Sequence, residues 1–92
     1  MDEEILLKAI ERYGIENQMM QCIEEMAELT QAINKYRRAK WSYSATDAYN
    51  HVIEEIADVQ IMIEQMRIMF DREDVDKFIA AKLKRLDERM RG

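Results

Sequence analysis

The heptad IEEMAEL, over residues 23–29, returns thirty residues later as IEEIADV over residues 53–59. Each copy carries two acids three residues apart, Glu25 with Glu28 and Glu55 with Asp58. Residues at that spacing share one face of a helix, so each pair projects together. If the two helices form an antiparallel hairpin, their midpoints lie at one level and four carboxylates converge there. Like charges a few ångströms apart and partly desolvated either take up protons or bind a cation. All-oxygen ligands favour a hard ion, Mg²⁺ or Mn²⁺, over zinc or copper. Mg²⁺ keeps several waters and is commonly held by a few carboxylates together with substrate phosphates. The chemistry this points to is metal-assisted attack of water on a phosphoanhydride. The plain alternative is that glutamate-rich helices produce E-x-x-E and E-x-x-D as solvated faces.

Four helices must position these acids. The first is expected from about Asp2 to Tyr13, with a stripe of Ile5, Leu6, Ala9, Ile10 and Tyr13 and a C-terminal cap at Gly14. Asn17 can cap a second helix running to about Lys40, with Met19, Ile23, Met26, Thr30 and Ile33 on its seam. WSYSATD reads as a loop. A third helix, about Asp47 to Phe70, alternates steps of four and three through Val52, Ile56, Val59, Ile63, Met66 and Phe70. It is apolar on more than one side, as a central or oligomeric helix is. Asp71 can cap a fourth helix, about Glu73 to Arg91, striped by Val75, Ile79, Leu83, Leu86 and Met90. The expected fold is all-α, an antiparallel bundle of about four helices in one domain over residues 1–92. Ala27 and Ala57, inside the two motifs, would let the backbones approach.

Composition narrows the classes. Ninety-two residues build a small core, and completion by a second copy, as a homodimer or homotetramer, is expected. A net charge of -5 argues against a sequence-independent nucleic-acid binder, which needs a basic face. No apolar run approaches the roughly 20 residues needed to span a bilayer, and the acidic N-terminus has no secretory signal. A lone Cys22 forms no internal disulfide, and a cytoplasmic setting fits.

The EEMAE of residues 24–28, followed by the EIAD of residues 55–58, resembles the EExxE…ExxD signature of the MazG-like nucleoside triphosphate pyrophosphohydrolases. The phrases YGIENQ, INKYRR and EEIADVQIMIEQM are similar to those of short phage-type and bacterial members, so the likeness spans about Tyr13 to Arg89. The resemblance implies an all-α fold whose two-helix core pairs with another protomer. It implies Mg²⁺-dependent hydrolysis of a nucleoside triphosphate, a deoxynucleotide or a non-standard one, to monophosphate and pyrophosphate. It also implies Glu25, Glu28, Glu55 and Asp58 as metal ligands, with Glu24 supporting them or assisting the attacking water.

Other residues are candidates on their own chemistry. Lys35, seven residues after Glu28 on the same face, can reach a substrate phosphate, and Lys82 and Arg85 share a basic face of the fourth helix with Arg89. The opposing reading of those cations is compensation of the helix dipole. Arg37, Arg38 and Lys40 read as solvated. Trp41, Tyr43 and Tyr49 could stack on a base or anchor their loop. His51 extends the polar stripe of Glu54, Glu55 and Asp58. A carboxylate-bridged di-iron site, however, needs two Glu-x-x-His motifs, so His51 is expected at the surface or rim. The rival to an enzyme is a non-enzymatic helical dimerisation or regulatory module, for which added Mg²⁺ leaves thermal stability unchanged.

Overall fold

The computed structural model describes residues 1–39 and 41–92, and Lys40, the expected end of the second helix, lies outside the described residues. The chain is all-α: α1 (Glu3–Tyr13), α2 (Ile15–Ala39), α3 (Ala45–Met69) and α4 (Arg72–Arg91). Local chemistry sets the corners. Asp2 caps α1 by accepting from the Ile5 amide at 3.3 Å. Gly14 ends that helix at φ +90, ψ 151, a region open essentially to glycine alone. The next helix then starts at once, so Asn17 lies inside α2 and donates from Nδ2 to the Tyr13 carbonyl at 2.8 Å, binding the corner instead of capping. Asp71 caps α4 as expected, accepting from the Glu73 and Asp74 amides.

α2 and α3 form the antiparallel hairpin that carries the acidic motifs, and α1 packs against both. The hairpin's inner face differs from the expected one. On α2 it follows Gln18, Cys22, Glu25, Leu29, Ala32 and Tyr36, which are buried or half-buried. Ile23, Met26 and Ile33 stay exposed at 62%, 42% and 41%. The two stripes lie about 100° apart around the helix. On α3 the seam runs Ala48, Val52, Glu55, Val59, Met62 and Met66, while Ile56, Ile63 and Phe70 of the expected seam are exposed. The reason is that α2 and α3 each present two faces for burial, and the greasier one points outward. The close approach falls at fully buried Ala32, and both Ala27 and Ala57 face solvent. Inside, Gln18 donates to Gln65 at 2.7 Å, a buried pair that ties the register of the hairpin because neither amide can slip without losing its partner.

α4 leaves this body at the Phe70 corner, pinned by Arg67 on Asp76 at 2.8 Å and, from its first residue, by Arg72 on Glu3 at 2.6 Å. Among the described residues it packs against α3 and buries none of its own. The Cα radius of gyration is 16.4 Å, against about 12 Å for a compact chain of this length. The accessible surface is 7528 Å², where a folded monomer of this mass has about 5,600 Å². No described helix is long and apolar enough to cross a membrane.

Candidate metal centre

The two acidic heptads meet at mid-hairpin. Glu25 and Glu55 occupy seam positions of their helices, so packing carries their carboxylates between α2 and α3 and not out to solvent. Glu55 is buried, with 7% of its surface accessible, and Glu25 is half-buried. Glu28, three residues on from Glu25, reaches in from the exposed rim. One oxygen from each of Glu25, Glu28 and Glu55 lies within 4.8 Å of the others.

Each seam carboxylate is held in the same manner. Gln21 donates from Nε2 to Glu25 Oε1 at 2.8 Å. His51 Nε2 stands 3.2 Å from Glu55 Oε1. Both partners sit one turn earlier on the same helix, the i−4 position. The second oxygen of each, Glu25 Oε2 and Glu55 Oε2, is buried with no hydrogen-bond partner among the described residues. An ionised carboxylate left this way costs roughly several kcal/mol unless a cation or donor meets it. Two such oxygens beside a third carboxylate make an oxygen-only ligand set suited to a hard divalent ion.

The remaining expected residues spread around this point. Asp58 is exposed on the same face of α3 as Glu55, one turn on, and falls outside the set of three. Glu24 is exposed and also outside it. Lys35 lines an open cavity of about 500 Å³ at the α2–α3 corner, together with Arg38 and His51. Lys82 and Arg85 are exposed on α4, which makes no approach to α2, so one chain does not bring them to the carboxylates. Trp41 and Tyr43 are exposed at 92% and 108%, while Tyr49 packs its ring on Tyr36 at 5.9 Å. The contributions missed from sequence are those of Gln21 and His51. The signal was present: both lie four residues before a motif glutamate, the spacing at which helical side chains touch.

Cys22 sits one turn from Glu25 on the seam, and burial pushes its thiol pKa up, which suits packing and not nucleophilic chemistry.

Comparison with known proteins returns no matching family model, no matching curated protein and no matching solved structure.

Proposed function

We propose that the chain is a Mg²⁺-dependent nucleoside triphosphate pyrophosphohydrolase of MazG-like type, acting on deoxynucleotides or non-standard nucleotides, with Mn²⁺ able to replace Mg²⁺. The observation that carries this reading is the pair of buried, partnerless oxygens on Glu25 and Glu55 beside Glu28. Scaffold acids are solvated or paired at both oxygens; each of these keeps one buried oxygen without a partner among the described residues. The likeness of EEMAE and EIAD to the family signature supplies the reaction.

Glu25, Glu28 and Glu55 hold the ion, and Gln21 and His51 keep two of those carboxylates aimed. The ion supplies positive charge to the phosphate oxygens as negative charge develops on them. Water oxygen bonds to the α-phosphorus while the bond from that phosphorus to the bridging oxygen breaks. Pyrophosphate leaves with the electron pair, and the proton lost by water passes to an exposed carboxylate beside the three, Asp58 or Glu24. Asp58 also stands next in line as a ligand, one turn from Glu55.

A second copy belongs to the same reading. The exposed flanks of α2 (Ile23, Met26, Ile33) and α3 (Ile53, Ile56, Ile63) are turned about 100° from the seam in the same sense, so they share one face of the hairpin. Each chain's surface exceeds a folded monomer's by roughly 1,900 Å², so a pair burying that excess would cover about 3,800 Å², within the range of obligate homodimers. Lys82 and Arg85 then reach a carboxylate centre only from a neighbouring copy.

The test is a panel of nucleoside triphosphates and diphosphates with Mg²⁺, reading phosphate and pyrophosphate separately. Pyrophosphate released from triphosphates alone, and abolished by a chelator, is the expected result. Release of phosphate instead, or of nothing from any triphosphate, defeats the proposal.

A further inference from the structure

The cavity at the α2–α3 corner adjoins the carboxylates through one residue. His51 lines the cavity and also touches Glu55 at 3.2 Å. From there the wall continues through Lys35, Arg38, Ser42, Ser44 and Asp47. Lys35 lies two turns beyond Glu28 and His51 one turn before Glu55, so helix geometry puts the cavity on the corner side of the acids, about 6–10 Å along the axis. Two cations face one carboxylate here, the reverse of a chain whose net charge is -5. Neither Lys35 nor Arg38 makes an ion pair or hydrogen bond with any described residue. Eleven other ionisable side chains among the described residues do make ion pairs. Ser42 and Ser44, with hydroxyls 3.0 Å apart, add short polar groups at the rim. The floor is Ala39 and Ala48, so no large side chain fills the space.

We propose that this cavity receives the polyphosphate end of the substrate and holds the pyrophosphate that leaves. The proposal rests on the reading of the carboxylates as a metal centre and fixes the direction in which a triphosphate lies across it. The α-phosphorus sits at Glu25, Glu28 and Glu55, the β- and γ-phosphates run toward the corner, and the nucleoside extends the other way. Lys35 and Arg38 each offer a full charge to non-bridging oxygens, Arg38 with a planar fork suited to two at once. A molecule without a phosphate chain, a nucleoside or a monophosphate, gains nothing from these groups. Discrimination of triphosphate from monophosphate thus resides in Lys35 and Arg38.

The probe is inorganic pyrophosphate, titrated calorimetrically into the full chain with a chelator present so that no divalent ion contributes. Wild type binds it. The double variant Lys35→Ala/Arg38→Ala loses at least tenfold in affinity, and Arg37→Ala, which removes an exposed cation outside the cavity, loses nothing. Equal binding by the double variant and wild type overturns the proposal. So does binding of a free nucleoside that is lost in the same double variant, which would put the other end of the substrate there. Mg²⁺-induced thermal stabilisation, measured on the same proteins, separates the two readings. Its absence with pyrophosphate binding intact removes the metal centre and leaves the anion cavity, and the converse removes the cavity alone.

Discussion

The two copies of the heptad agree at their middle acid and part at their last. Glu25 and Glu55 sit on facing seams, each with Oε1 held from one turn earlier and Oε2 buried without a partner. The holder is an amide, Gln21, in one copy and an imidazole, His51, in the other. Glu28 then joins the cluster, whereas Asp58, its counterpart, does not. Aspartate is one methylene shorter, and from the same helical position it ends short of the centre. The repeat therefore specifies a seam carboxylate and its supporting neighbour, and leaves the outer acid free to differ.

Removing the shared element has the largest expected effect. Glu25→Gln and Glu55→Gln should each lower Mg²⁺-dependent turnover by more than about 100-fold, beyond the loss typical of a supporting partner. Their helix content by circular dichroism should be unchanged. Their ion-free thermal midpoints should hold or rise, because each removes a charge with one buried, unpartnered oxygen. A midpoint that falls sharply would make the acids structural. Next come the holders: Gln21→Ala and His51→Ala should weaken Mg²⁺ binding by about 10–100-fold each, read by calorimetry. An effect confined to one of them would break the equivalence of the copies. The outer acids sharpen the difference. Glu28→Gln should cost about 1.4 kcal/mol in Mg²⁺ affinity, a factor of ten, and Asp58→Asn should leave affinity close to wild type.

The copies also turn their apolar flanks to one face, so Ile23→Lys and Ile53→Lys should have the same consequence. In light scattering each should halve the mass of the assembly, and retention of the wild-type mass by either would remove that face as the contact. The smallest effect lies outside both copies. The Arg72 guanidinium hydrogen-bonds Glu3 and, by charge, adds to that contact, holding the Glu3 carboxyl below the usual carboxylate range. A carboxyl pKa lowered by folding stabilises at pH above its unfolded value and stops doing so as pH falls through the folded one. Arg72→Ala should therefore lower the thermal midpoint slightly at neutral pH and not at all in strong acid. High salt should shrink the neutral difference, since both side chains are half-exposed.

Much of this was legible in the sequence. A glycine and a cap placed two corners, because Gly14 and Asp71 act locally. The acidic repeat placed its two motifs together at mid-hairpin, because spacing and helix length alone decide that. The hairpin's interior was not legible. Apolar periodicity finds the greasiest face, and here that face, marked by Ile23, Met26 and Ile33, is turned away from the partner helix. The inner seam is written instead in small and polar residues, Gln18, Cys22, Glu25 and Ala32, which periodicity discounts. Asp58 could not be told from Glu28 by spacing, since what separates them is side-chain reach. His51 had the right spacing to Glu55, but a lone histidine offered no pattern.

Binding of Mn²⁺, followed by loss of the electron paramagnetic resonance signal of the free ion, bears most directly on the two orphaned oxygens. Wild type and Asp58→Asn should remove the signal saturably, and Glu25→Gln and Glu55→Gln should leave it as it is in buffer. A wild-type titration that tracks the protein-free line throughout contradicts the account.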